Sequence, residues 1–185
     1  MSSADRPPPT DPGEELVEWV DVDGSVIDVV PRRRVRAEVL RHRCTYVVVL
    51  TGADELVVHQ RADWKDVYPS YWDICFGGIT GVGEQWEDAA RRELAEEAGI
   101  EGTDLVPLGP VHYDAEDGRI VGRAFVTRHD GVLDCPDGEV VAVDRVPRAE
   151  LAHWLQDRPV CPDSRQLVLP LLQAHWNAHA SGAGS

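Results

Sequence analysis

Three glutamates, Glu93, Glu96 and Glu97, stand at i, i+3 and i+4 in a segment that reads as a helix over 84–98. That spacing puts all three side chains on one face. Like charges so placed weaken an isolated helix, and their converging oxygens are what a hard divalent cation seeks. Glu84, at the helix start, can supply a fourth oxygen ligand or satisfy exposed backbone N–H groups. Arg92 can orient the carboxylates through charge-assisted hydrogen bonds. The alternative is the solvated acidic face of an ordinary charge-rich helix.

The elements around this helix follow from pattern and punctuation. Trp86, Ala90 and Leu94 fall four apart, one apolar stripe, and Gly99 closes the helix. Upstream, two short strands over 17–21 and 26–30 flank Asp23-Gly24, a hairpin signal. Pro31 opens an arginine-rich helix. The run 45–50, TYVVVL, is continuous and β-branched, as in a strand covered on both faces. A return strand over 55–60, a loop over 61–71 and an extended approach over 72–79 lead to Gly77-Gly78. Three further strands are expected over 105–113, 119–128 and 139–146, and helices over 148–156 and 164–178. Pro170 must either kink the last helix or mark its start. This order predicts one α/β domain over 15–180, a sandwich of helices on both faces of a mixed sheet. Residues 1–14, rich in Pro, Ser and Asp, and 181–185 read as disordered or flexible tails.

Composition excludes some partners. Acids outnumber bases 33 to 18, a formal charge of −15, which argues against nucleic acid and anionic membrane surfaces. The charge is not uniform. Residues 84–97 carry six acids against Arg91 and Arg92, and 31–43 carry six arginines against Glu38. An acidic site beside a basic helix suits a metal-complexed phosphate better than a bare one, although a solvated helix face explains the arginines equally well. No apolar run approaches the ~20 residues of a membrane span, and the start shows no apolar signal region. Cys44, Cys75, Cys135 and Cys161 form no C-x-x-C pair, so reduced thiols in a cytoplasmic protein are expected. Trp154, Trp176 and the last helix can pack in the core or form a homodimer surface.

The segment Gly78–Ile100 reads GITGVGEQWEDAARRELAEEAGI. It resembles the Nudix box at every defining position: Gly78, then Glu84, then Arg92-Glu93-Leu94, Glu96-Glu97 and Gly99-Ile100. A chance match in a chain of this length is below about one in 10⁵, which sets the box above the solvated acidic face. The resemblance implies a Nudix-type α/β/α sandwich with a loop–helix–loop catalytic box. It implies hydrolysis of a pyrophosphate bond in a nucleoside diphosphate derivative or similar small diphosphate, with Mg²⁺ or Mn²⁺ as cofactor. The metal ligands then map onto Glu93, Glu97 and Glu96, with the Gly77 carbonyl as a further ligand. The general base is left open among Glu93, Glu96 and a residue outside the box such as Glu139.

A wider stretch, from about Glu18 to Leu151, is similar to the isopentenyl-diphosphate-isomerase-like branch. It is carried by Trp19-Val-Asp-Val-Asp-Gly24, Arg41-His42-Arg43 and Gln60-Arg61…Lys65…Pro69…Trp72. This resemblance implies that Arg61 and Lys65 contact the substrate diphosphate, a role suited to clustered cations. It also makes His42 a candidate metal ligand and Asp137 with Glu139 a candidate acidic pair. The alternatives are a solvated loop, a structural histidine and a turn at Asp137-Gly138. Two positions depart from the isomerase. Gly77 stands where its catalytic cysteine would be, and Ile79 where a metal-binding histidine would be. Cys75, two residues back, lies about 7 Å away along an extended strand, too far for a direct replacement. Diphosphate hydrolysis on an isomerase-like scaffold is therefore expected over isomerisation. A non-catalytic ligand-binding module is disfavoured because all four box glutamates are present.

Overall fold

The structure, a computed structural model, describes residues 12–135 and 138–182. Residues 12–14, expected within the tail, form a 3-10 turn. Strands β1 (Leu16–Val20) and β2 (Val26–Pro31) pair antiparallel as the predicted hairpin, with Gly24 at φ 87° in its turn. Helix α1 (Arg32–Glu38) follows Pro31 at once. It places Arg32 and Arg36 one turn apart on one side.

The main sheet has six strands: β3 (His42–Leu50), β4 (Leu56–Arg61), β5 (Trp72–Asp73), β6 (Val106–Ala115), β7 (Gly118–Arg128) and β8 (Val140–Val146). Its order is β5-β4-β3-β7-β6, with β8 on β4. Among the described strands only β3 and β7 pair parallel. Strand β3 begins three residues earlier than its β-branched run suggests, because β7 pairs with it from His42 onward.

One irregularity shapes the site. Strand β8 takes one edge of β4 along 56–61, so β3 and β5 share the other edge. Beyond Val57, β4 therefore leaves β3, and segment 72–79 enters the gap. It pairs with β4 at Trp72 and Asp73, then touches β3 through Val47–Phe76 and Cys44–Ile79 bridges. The expected extended approach is thus a two-residue strand followed by isolated bridges.

Strand β3 is covered on both faces, as its apolar run predicts. Tyr46, Val48 and Leu50 join the larger core with Val168, Leu172, Trp154 and Trp176. Val47 and Val49 face the other core with Phe76, Ala90, Leu94 and Ala98. The first core lies under α3 (Leu151–Trp154) and α4 (Pro162–Gly182), the second under α2 (Trp86–Ala98). This is the expected α/β/α sandwich with a mixed sheet. Trp154 and Trp176 are buried within the chain, 6% and 4% exposed, as core packing requires. The short α3 falls inside the longer helix expected over 148–156. Helix α4 starts eight residues before Pro170, so that proline is internal and lies on the exposed side, where the carbonyl it leaves free can meet water. Among the described residues no helix is long and apolar enough to cross a membrane.

Candidate active site

The box helix begins at Trp86, two residues later than predicted. The reason is local. The Glu84 carboxylate accepts the Gly81 N–H at 2.7 Å, while Arg92 donates to both its oxygens at 3.0 and 2.9 Å. These bonds hold Glu84 in the preceding turn. Hydrogen bonding to Arg92 keeps the Glu84 carboxyl below its ordinary range. Glu87 and Asp88 occupy the first turn, where the helix dipole favours acids. Gly99 ends the helix at φ 65°, as predicted. Glu18 of β1 fixes the turn from outside, accepting Gly83 N–H at 2.8 Å and Arg43 at 3.0 Å.

A cleft of about 290 Å³ opens beside this helix, at the small end of the usual range for ligand sites. Its wall includes Glu93, Glu96 and Glu97 of α2, Gly77 and Gly78, and Arg92. From elsewhere come Arg61, Lys65, Glu139 and His42. The fold thus gathers every candidate except Glu84, which is committed to Arg92 and Gly81, and Asp137, which lies outside the described residues.

Each carboxylate has a different environment. Glu97 is 5% exposed and accepts the Gly77 N–H at 2.9 Å. Burial, reinforced by the charge of Glu93, pushes its carboxyl up to about 8. Glu93 is also raised, by burial against the pull of Arg92, which donates to it at 2.7 Å. Glu96 is more exposed and accepts from Arg92 at 3.1 Å. Arg92 also donates to the Ile79 carbonyl at 3.2 Å, so one guanidinium ties the helix to the glycine turn. Replacing Arg92 by lysine keeps the charge but loses this fork. Arg92→Lys is expected to weaken cation affinity and activity about 10- to 100-fold, read by cation titration and initial rates.

Gly77 is required by space, and a side chain at Gly78 would displace the Glu93 carboxylate. A Cβ at Gly78 would stand 2.7 Å from the Glu93 carboxylate. A Cβ at Gly77 would stand 2.1 Å from the Thr45 carbonyl oxygen, at φ +147°. The isomerase cysteine has no room at this position. Cys75 is buried and held by Asp73, 3.4 Å from its Sγ, and burial raises its thiol well above the usual range. It is a protonated, inert thiol at neutral pH.

The donor set suits a hard cation in kind, being carboxylate and carbonyl oxygen throughout. Two of the carboxylates are buried and raised, a state that a divalent charge would reverse. Among the described residues no three ligating groups yet stand close enough to hold an ion. Arg92 takes Glu93 Oε1 and Glu96 Oε2, so a cation bound there would take the other oxygens, which the guanidinium holds in place.

The remaining candidates divide. Arg61 turns back to the Val67 carbonyl at 3.2 and 3.1 Å, ordering its own loop from within the cleft. Burial opposes its charge, but Asp73, Glu97 and Asp163 raise it. Lys65 pairs with Glu139. His42 sits 3.0 Å from the Leu40 carbonyl through Nδ1, and burial pushes it down to about 4. It is neutral at physiological pH, which suits a metal ligand and a buried structural histidine alike.

The sequence did not single out Tyr46, Asp73, Tyr113, Asp117 or Asp163, which also line the cleft. None lies in a motif. The one available signal was the i,i+4 spacing of Arg32 and Arg36, which puts two cations of the arginine run into the cleft while Arg33 and Arg34 stay exposed.

Residues 40–168 match the NUDIX domain. The uncharacterized Nudix hydrolase PA4841 of Pseudomonas aeruginosa is 35% identical over 161 residues, covering 86% of this chain and 95% of that protein. The crystal structure of DR0079 from Deinococcus radiodurans has the same fold, with a TM-score of 0.71 over 86% of this chain and 98% of that one, at 19% identity. The NUDIX domain of Shewanella oneidensis NrtR, complexed with ADP ribose, also shares it, with a TM-score of 0.60 at 20% identity over 72% and 87%. The chain belongs to the NUDIX domain family and is a Nudix hydrolase, an enzyme of the pyrophosphohydrolase class.

Proposed function

We propose that the chain hydrolyses a pyrophosphate bond in a nucleoside diphosphate derivative or similar small diphosphate, with Mg²⁺ or Mn²⁺ held by Glu93, Glu96 and Glu97. The Gly77 carbonyl is a further candidate ligand. The observation that carries this reading is the meeting of two opposite chemistries in one small cleft. Buried carboxylates with raised proton affinity line it together with Arg61 and Lys65. The first set takes a cation, the second takes phosphate oxygens. The NrtR domain of like fold carries ADP ribose, itself a diphosphate.

When bound, a divalent cation neutralises phosphate charge and lowers the pKa of an attacking water. The chain's own residues do the rest. Arg61 and Lys65 bind and orient the diphosphate. Arg92 sets the carboxylate rotamers through Glu93 and Glu96. The water proton passes to a carboxylate of the cleft, for which Glu93, Glu96 and Glu139 are the candidates. Arg61 and Lys65 also support a scaffold of the isomerase-like branch. Gly77 and Ile79 stand against its isomerase chemistry, because no thiol fits at position 77.

The test is a panel of nucleoside triphosphates, sugar nucleotides, dinucleotide cofactors, coenzyme A and isopentenyl diphosphate, each with Mg²⁺, Mn²⁺ or chelator. Cation-dependent release of phosphate-bearing products from at least one diphosphate is expected. Conversion of isopentenyl diphosphate to its isomer, with no hydrolysis anywhere in the panel, contradicts the reading.

A further inference from the structure

The loop that joins β4 to β5, residues 61–71, carries both cations assigned to the diphosphate. It is tied down at three places. Lys65 pairs with Glu139, just before β8. Asp66 pairs with Arg36 of α1 at 3.2 Å. The Tyr68 hydroxyl donates to Asp117 Oδ2 at 2.5 Å, in the turn between β6 and β7. The other oxygen, Asp117 Oδ1, accepts the Tyr113 hydroxyl at 3.1 Å. Glu139 also acts on the box carboxylates Glu93 and Glu97, whereas Asp117 lies at the β6–β7 turn. Lys65, Val67, Tyr68, Asp117 and Glu139 all line the cleft, so the loop is a strap across it.

The backbone of this strap is strained beside its far tie. Tyr68 has φ 49° and Ser70 φ 63°, left-handed conformations that non-glycine residues hold only where their surroundings impose them. Tyr68 also precedes Pro69, and a residue before proline favours extended backbone. Its hydroxyl bond to Asp117 therefore restrains a segment that relaxes when the bond is lost. A hydrogen bond from a hydroxyl to a carboxylate is among the stronger ones available for this.

With the strap down, its cations are turned to partners within the protein. Arg61 donates to the Val67 carbonyl inside the loop, and Lys65 pairs with Glu139. A diphosphate must pass the strap and take the place of these partners. We propose that Tyr68 and Asp117 are positioning residues: their hydrogen bond latches the strap, which lifts to admit a diphosphate and closes to bring Arg61 and Lys65 onto it. This rests on the reading of Arg61 and Lys65 as diphosphate-binding groups, and it adds what controls their placement.

Lys65 is the only lysine of the chain, so a lysine-specific endoprotease cuts it at one place, inside the strap. The Lys65 side chain is only 10% exposed, and cleavage of the native full chain therefore reads the open state. Tyr68→Phe and Asp117→Ala should each speed cleavage about five- to tenfold with nearly unchanged urea denaturation. The double variant should be cut no faster than either, because both substitutions remove one bond. Methylenediphosphonate with Mg²⁺ should slow cleavage of the wild type and protect the variants less. On a diphosphate that the wild type hydrolyses, each variant should raise KM about fivefold and leave kcat within about twofold. Equal cleavage rates for wild type and variants overturn the proposal. So do effects that add in the double variant or that match a loss of global stability. Faster cleavage of the variants, without protection by the diphosphonate or turnover of any compound, sustains the latch and removes the diphosphate reading beneath it. Cation-dependent hydrolysis with cleavage and KM indifferent to both variants does the reverse.

Discussion

Glu97→Gln should stabilise the metal-free protein while lowering diphosphate hydrolysis by about 10³-fold, the equivalent of about 4 kcal/mol of transition-state stabilisation. Both effects have one cause. Burial and the neighbouring Glu93 raise the Glu97 carboxyl from 4.5 to about 8. In the unfolded chain it ionises near its ordinary value. The folded state therefore binds the extra proton, and stability is full below about pH 4.5. It is lost progressively as pH rises toward 8 and then levels off, a loss on the order of a few kcal/mol. The raised Glu93 adds to the same trend. A glutamine keeps the acceptor for the Gly77 N–H but cannot ionise, so most of the slope should vanish. In chelator at pH 8 the variant should melt about 5–10 °C above the wild type. Added Mg²⁺ should stabilise the wild type more than the variant. Melting curves from pH 4.5 to 9 check this, and equal slopes for the two proteins would contradict it.

Gly77→Cys restores the residue type that an isomerase needs, and it should fail to give an isomerase. A Cβ at this position meets the Thr45 carbonyl oxygen at 2.1 Å and its carbon at 2.9 Å, both backbone atoms. The φ of +147° is itself costly for any L side chain, by about 1–3 kcal/mol. Relieving the overlap requires β3 to part from segment 72–79, whose contacts include Thr45 N–H to the Gly78 carbonyl at 2.9 Å. The total is expected to exceed about 4 kcal/mol, in the range of severe core disruptions. Urea denaturation measures it. Turnover of isopentenyl diphosphate by a stable Gly77→Cys protein would show that this backbone accepts the thiol.

The parts legible in the sequence are those fixed by local spacing. The box helix, its carboxylate face, its glycine stop and the first hairpin all follow from residues within a few positions of one another. The two-faced burial of β3 was legible in TYVVVL, because only a strand covered on both sides is apolar without alternation. What was not legible depends on distant partners. Glu84 is drawn out of the helix by Arg92, eight residues on, and by Gly81. Segment 72–79 is a wedge between two strands because β8, far along the chain, occupies the other edge of β4. Arg61 bends to the Val67 carbonyl, a choice made by loop closure. Asp163 enters the cleft because α4 begins at Pro162, two residues before the start expected at 164.

The most direct test of a cation-dependent diphosphate hydrolase is turnover of a sugar nucleotide in ¹⁸O-labelled water, with Mg²⁺ and with chelator. The account predicts release only with Mg²⁺, one ¹⁸O atom on a phosphate of the products, and loss of both in Glu97→Gln. Equal release in chelator, or products whose phosphates carry no label, would contradict it.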